Sequence, residues 1–376
     1  MQRDDIRFFL PGPAYVPEDV RQAMTRPIVS HRSAEFRAVY QRLAEALPQL
    51  FRTQGEVFIA TGSSTFLMES ALVSTVDQDV LHLTNGAFSE RWHQISGCLG
   101  KRADRVAVPW GEAMDPDLVR EALRRKSYEA VTLVHNETST GVVSDVAAIA
   151  RVVHEESDAL LLVDTVSGLG GAEFETDEWQ VDVALAGVQK AIALPPGLGL
   201  FTLSPRAALR AEGQRYRGFY TDLLRYRDKH QLGGTITTPA IPLVYALDFQ
   251  MKKILQEGVV QRWRRHEEMQ LQTEGWAEGS GFQFAAAPEV RSPTVSCLKP
   301  PLGVPSAVLI EQLAKAGFTV ASGYGPWKRE TFRVGHMGEV RVGDLSALFS
   351  AIDSSLEALD ADSRKGGVPV QDLVGS

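Results

Sequence analysis

The apolar run LLLVD ends in Asp164, and a later apolar run, VDVALAGVQK, ends in Lys190. Two buried strands that finish in a carboxylate and an amine bring opposite charges to one edge of a sheet. Such a pair suits pyridoxal 5′-phosphate (PLP), which carries an aldehyde and a basic ring nitrogen. The lysine would form a Schiff base with the aldehyde, and the carboxylate would keep the ring nitrogen protonated so that the ring draws electrons. A carboxylate among aliphatic residues needs a partner, and a metal, an arginine or a protonated pyridine would each serve. An apolar setting such as AGVQKAIALPPGLGL depresses a lysine's pKa and makes it nucleophilic. The plainer alternative is a lysine whose stem snorkels to the surface.

Other residues with chemistry also follow apolar runs. In TGSSTFLMESALV the first turn of a helix would present backbone N–H groups and the hydroxyls of Ser63, Ser64 and Thr65, a cradle for a phosphate. A simple Ser/Thr N-cap explains the same residues. No G-K-[ST] and no G-x-G-x-x-G accompanies them, which disfavours a nucleotide. Phe88 follows an Asn-Gly turn in TNGAFSERW, where an aromatic ring either stacks on a flat ligand or fills the core. The segment VHNETSTG places His135, Glu137, Ser139 and Thr140 after a strand, so that a hydroxyl could reach a cofactor's ring oxygen; a polar loop with a capping box would read alike. Arg333, in ETFRVGHMG, offers a fork for a substrate carboxylate or is a surface residue. Cys297 alternates into a strand core, Cys98 ends a helix and looks structural, and His31 and Arg32 precede a helix that they cap.

The elements that must position these residues follow from pattern. Residues 55–205 alternate short apolar runs with helical periodicity, the signature of β-α-β units and a mostly parallel sheet. Strands are expected at 57–60, 80–83, 131–135, 160–164, 181–186 and 200–203. Open α/β sheets bind ligands beyond the carboxyl ends of their strands, where these polar residues gather. A long helical pattern covers 239–276. Strands at 294–298, 319–321 and 331–334, with helices at 306–316 and 345–359, predict a smaller α+β unit. The tail from Ser363 reads as loosely held.

Length alone, 376 residues, favours two domains. A net charge of −8 argues against nucleic acid and anionic membranes as partners. No apolar run is long enough to span a membrane, and MQRDDIRFFL does not read as a signal peptide, so a cytoplasmic protein is expected. Two cysteines exclude a disulfide framework, and the eight histidines lack metal-ligand spacing, so no metal is expected.

Taken in order, the segments FFLPGPAYVPEDV, HRSAEF, TGSSTFLMESAL, TNGAFSER, HNETSTG, LLLVDTVSGLGG, VQKAIALPPGLG, TTPAIPLVYAL and ASGYGPWKRETFRVGHMG resemble the class V aminotransferases of PLP fold type I. The resemblance is strongest to the alanine/serine–glyoxylate aminotransferase group and spans nearly the whole chain. It implies a large PLP-binding domain at 1–260, with residues 1–20 contributing to the active site, and a small C-terminal domain at 261–376. It further implies that Lys190 carries the cofactor and then moves the proton. Asp164 would pair the pyridine nitrogen, Phe88 would stack on the ring and Ser139 would reach the ring hydroxyl. Ser63, Ser64, Thr65 and Gln189 would hold the phosphate, with Thr237 or Thr238 reaching in across a homodimer interface. Arg333 would bind the α-carboxylate, with Gly12, Pro13 and Ala14 closing the pocket. Three departures stand out. Phe88 replaces a frequent tryptophan, Ser64 and Thr65 stand where glycine and histidine are common, and Gly234 falls where some relatives place a tyrosine.

The implied activity moves an amino group from alanine or serine to a 2-oxo acid such as glyoxylate or pyruvate. Two alternatives belong beside it. A 2-aminoethylphosphonate–pyruvate transaminase would need cationic contacts from Arg32, Arg333 or Lys328. A catalytically retired accessory subunit would keep the fold and lose the reaction.

Overall fold

The long aliphatic runs become the centre of a sheet in the computed structural model, which describes residues 5–364. The chain opens with α1 (Glu18–Ala23) and α2 (Ala34–Phe51), followed by β1 (Val57–Thr61), α3 (Ser64–Thr75), β2 (Asp79–Thr84), α4 (Ala87–Cys98) and β3 (Arg102–Ala107). Next come α5 (Pro116–Arg125), β4 (Ala130–Val134), the short pair β5 (Asn136–Glu137) and β6 (Val142–Val143), α6 (Val146–Glu156), β7 (Leu160–Asp164), β8 (Val183–Gly187) and β9 (Leu198–Thr202). Helices α7 (Pro205–Glu212), α8 (Leu223–His230), α9 (Ile241–Glu257) and α10 (Val259–Gly279) lead to β10 (Gln283–Phe284), β11 (Val295–Lys299), α11 (Ser306–Lys315), β12 (Ala321–Ser322), β13 (Phe332–Gly335) and α12 (Val342–Arg364). Of the tail expected to be loosely held, Ser363 and Arg364 end α12, and residues 365–376 lie outside the described residues.

The seven-stranded sheet runs β1-β9-β8-β7-β4-β2-β3. Its strands are parallel except β9, which lies antiparallel to both β1 and β8. Strands β4, β7, β8 and β9 are buried along their whole length, as expected of near-continuous aliphatic runs covered on both faces. One face packs on α2, α6 and α9 through residues such as Leu43, Ile149 and Leu247. The other packs on α3 and α4 through Leu67, Leu72 and Trp92, whose indole N–H donates to the Met68 carbonyl at 3.0 Å. Ser33, Ser63, Asp115 and Asp145 accept backbone N–H groups at the starts of α2, α3, α5 and α6, which fixes where each helix leaves its loop.

A second, antiparallel sheet has the order β10-β11-β13-β12. Its core of Leu298, Phe332, Val334, Leu309 and Leu345 also holds Ile6 and Phe9 from the opposite end of the chain. Phe9 donates to the Thr319 carbonyl at 2.7 Å and accepts from the Gly335 N–H at 2.7 Å, so the N-terminal segment runs along this sheet before reaching the large one.

Several sequence expectations change. The 239–276 helix is two helices, because Gly258 takes φ 88°, a left-handed value that breaks the first helix and starts the next. Strand β3 was not expected: its sequence RADRVA belongs to an edge that is half open to solvent. The strand anticipated at 181–186 begins at Val183, since Asp182 turns its carboxylate to the Leu161 N–H. Cys98 does end α4, but it is exposed. The N-cap of α2 is Ser33 rather than His31 or Arg32.

Candidate active site

The parallel strands all deliver their carboxyl ends to one edge, and the residues that follow them line one cavity there. Its wall includes Ser63, Ser64 and Thr65 after β1, Phe88 and Arg91 on α4, Thr138 beyond β5, Asp164 at the end of β7 and Lys190 beyond β8. Asp164 is 4% exposed and Lys190 8%. Burial pushes the Asp164 carboxyl up to about 7, opposed by the N–H of Val166, which donates to Oδ1 at 2.7 Å. Burial likewise lowers Lys190 to about 8, helped by the positive charge of Arg333. The amine therefore gives up its proton far more readily than an exposed lysine, as a nucleophilic lysine must.

Lys190 is also held from the side. Its Nζ donates to the Pro11 carbonyl, and a Cβ built on Gly12 would lie 2.4 Å from that nitrogen. Gly12 has φ 134°, so two constraints, backbone shape and the close lysine, both require glycine. Ala14 donates its N–H to the Gln189 carbonyl at 2.8 Å. The expected loop of Gly12, Pro13 and Ala14 thus lies against the lysine.

At the start of α3 the serine cluster divides between adjacent residues. Ser63 is the N-cap, its Oγ accepting from the Phe66 N–H. The Ser64 hydroxyl is buried and has no hydrogen-bond partner among the described residues. A Cβ on Gly187 would meet that oxygen at 2.2 Å and the Gln189 side chain at 2.5 Å, so the glycine lets both side chains stand close to the strand end. A buried hydroxyl without a partner costs free energy until a ligand meets it. A phosphate at this helix N-terminus would meet it.

Glu137 shapes the wall near Phe88. Its carboxylate is fully buried and accepts the N–H groups of Phe88 and Ser89 at the start of α4, together with the Ser139 hydroxyl at 2.6 Å. Ser139, expected to reach a ring oxygen, is therefore turned to Glu137; its Oγ also accepts from the Ala87 N–H, and the loop hydroxyl that lines the cavity is that of Thr138. Arg333 is 9% exposed and meets no carboxylate among the described residues. Its Nε donates to the Ser322 carbonyl at 3.0 Å and one Nη to the Thr138 carbonyl at 3.2 Å. Thr237 and Thr238 do not join this cavity. They line a separate surface cleft with His31, Arg32, Arg37 and Lys229. Sequence reading missed Arg91 and Tyr324. The i, i+3 spacing from Phe88 was the available signal for Arg91, whereas a loop carries Tyr324.

The family model described as Aminotransferase class-V matches residues 11–325. The chain belongs to the class V aminotransferases. It is 32% identical to an L-aspartate–glyoxylate aminotransferase of Paracoccus denitrificans, over 96% of this chain and 92% of that one. It is 33% identical to a serine–glyoxylate aminotransferase of Methylorubrum extorquens, over 94% and 90%. It is 33% identical to a soluble hydrogenase small subunit of Synechococcus, over 95% and 94%. Among solved structures, an aspartate aminotransferase of Thermus thermophilus superposes with a TM-score of 0.86 at 33% identity, over 94% of this chain and 99% of that one. As in the family, the cofactor of this class V aminotransferase is PLP. The cavity fits it: a buried carboxylate, a buried amine, an aromatic ring and an unpartnered hydroxyl at a helix start share one wall.

Proposed function

We propose that this aminotransferase takes the amino group of a small amino acid, alanine or serine, and passes it to a 2-oxo acid such as glyoxylate or pyruvate. We also assign the residue roles and a homodimeric assembly on this reading. The observation that carries it is the shared cavity of Lys190 and Asp164, each buried and each shifted toward neutrality. Bound PLP supplies an electron-withdrawing ring that makes the proton on the substrate's Cα acidic. Lys190 Nζ would take that proton from Cα and return it to the cofactor carbon on the far side of the nitrogen, C4′, a transfer suited to an amine whose pKa is lowered by burial. Asp164 holds a proton at the ring nitrogen. Ser63, Ser64, Thr65 and Gln189 hold the phosphate, with Thr237 or Thr238 of a second copy, and Phe88 faces the ring. Arg333 has one Nη free of the two carbonyl contacts and takes the α-carboxylate in its fork.

The test is the visible spectrum of the PLP-loaded protein, titrated with alanine, serine, aspartate and 2-aminoethylphosphonate. Bleaching by alanine or serine with release of the matching keto acid supports the reading. Lys190→Ala should abolish turnover and the lysine-dependent absorbance, and a fully active, coloured variant would overturn the assignment. Of the cations a phosphonate could use, Arg32 lines the separate cleft and Lys328 does not line the cavity, so a phosphonate would have to be met by Arg333 or Arg91. The name of the Synechococcus relative favours keeping one second reading, an accessory subunit. A coloured protein that reacts with no amine would support it.

A further inference from the structure

Arg91 is a cation with an unmet charge beside the reacting lysine. It lines the cavity with Lys190 and Asp164 and is half-buried. Its guanidinium carbon lies 4.8 Å from the Phe88 ring centroid. Among the described residues it makes no ion pair, the Asp164 carboxylate acting on it only from across the cavity, and its one hydrogen bond is a long one, 3.4 Å, from Nη2 to the Tyr324 hydroxyl. Other buried arginines in this fold are treated differently. Arg262 and Arg265 both meet Glu257, at 2.6 and 2.5 Å.

Tyr324 links Arg91 to Arg333. The Arg333 guanidinium carbon stands 5.3 Å from the Tyr324 ring centroid, and the Arg91 guanidinium touches the hydroxyl of the same ring. Phe88 packs on that ring as well, at 5.7 Å. Two guanidinium groups thus meet one tyrosine, Arg91 from the cavity wall and Arg333 from its bond to the carbonyl of the wall residue Thr138, and neither makes an ion pair among the described residues. A single α-carboxylate satisfies one of them. A guanidinium in a cavity wall without an ion-pair partner is free to make a charge-assisted, two-toothed contact with a ligand carboxylate.

We propose that Arg91 forms a second anion subsite, which takes the side-chain carboxylate of a dicarboxylic amino donor while Arg333 takes its α-carboxylate. The inference rests on the transaminase reading and extends its donors to aspartate, the smallest natural member of that class. The competing account makes Arg91 only a packing partner of the Phe88 ring, which would affect all donors alike.

Asparagine separates the two accounts, because it keeps aspartate's shape and removes the charge. The PLP-loaded wild type, Arg91→Met and Arg91→Lys are each mixed with aspartate, asparagine and alanine, and the half-reaction is followed by absorbance. The wild type should favour aspartate over asparagine, Arg91→Met should reduce that ratio by roughly 10- to 100-fold, the range of a lost charged hydrogen bond, and Arg91→Lys should restore part of it. Maleate, an unreactive dicarboxylate, should inhibit the wild type and lose potency by a similar factor in Arg91→Met. Equal losses for aspartate, asparagine and alanine would overturn the subsite in favour of packing. Should Arg91→Met fail to fold, the Arg91→Lys ratio and wild-type inhibition by maleate still decide. A wild type that accepts alanine but shows no preference for aspartate over asparagine overturns this inference alone. One that reacts with no amine overturns the transaminase reading and this inference together.

Discussion

Asp164 and Lys190 are held in surroundings that oppose their charges, and the stability of the cofactor-free protein should record it. Burial raises the Asp164 carboxyl from 3.8 to about 7 in the folded state. Between those values the folded chain holds a proton that the unfolded chain has released, so stability present at low pH is lost as pH climbs through this window. Replacing Asp164 with Asn removes the titration. The variant without PLP should therefore melt at a higher temperature than wild type near pH 7.5, by an amount worth roughly 2 to 4 kcal/mol, and the difference should shrink toward pH 4. Thermal melts of both proteins from pH 4 to 8 check this, and parallel curves would mean that Asp164 is not strained. Lys190 works in the opposite window: its pKa is lowered from 10.5 to about 8, so its burial stops costing stability as pH rises through that range. Gly187 offers a second test at the same scale. A methyl group there would collide with the Ser64 hydroxyl and the Gln189 side chain and displace them, so Gly187→Ala should weaken PLP retention by roughly tenfold or more, measured by dialysis and absorbance. Unchanged retention would place the phosphate elsewhere.

At the junction of α9 and α10, Glu257 ends one helix and receives Arg262 and Arg265 from the next, and Arg341 at 3.2 Å. Arg262, 1% exposed, also donates to the carbonyls of Ala191 and Gly338. It therefore ties the turn that follows Lys190 to the loop that follows β13, which bears Arg333. Arg262→Met takes one of three cations from Glu257 and leaves the Ala191 carbonyl without this donor, and should lower stability by about 2 to 3 kcal/mol, while the exposed Arg264→Met changes it little. Denaturant titration of the two variants checks the contrast, and equal curves would show the tie to be dispensable. None of this network was legible in the sequence, where an unbroken helical period hid the Gly258 break and arginines looked like solvent-facing charge. The aliphatic runs were legible because burial on both faces leaves little else for a strand to contain. Edge strand β3 was not, since charged residues such as Arg102 and Asp104 belong there. The site divides in the same way. Lys190, Asp164, Phe88 and Ser63–Thr65 could be found because strand ends converge in a parallel sheet. The direction of the Ser139 hydroxyl depends on a loop turning it to Glu137, and spacing does not encode that.

Across the whole molecule, the cleft that holds Thr237 and Thr238 is bordered by Leu232, 71% exposed, and Ile28, which precedes the cleft residue His31 in the chain, is 70% exposed. These apolar side chains are the natural places for the second copy in the proposed homodimer to dock. Leu232→Glu should shift the protein toward monomer in sedimentation and weaken PLP retention with it. A variant that sediments and retains PLP like wild type would place the interface elsewhere. The course of the N-terminal segment matters on the same scale. Ile6 and Phe9 complete the core around Phe332, Val334 and Leu345, and the next turn carries Pro11 and Gly12 to Lys190. During synthesis those early residues emerge from the ribosome long before the partners they pack against. A chain that folds as it is made must leave them unplaced until its last hundred or so residues arrive, and closing so long a loop is slow. The lysine's own wall is then among the last parts to assemble, so the reactive site should be the final feature a newly made molecule acquires.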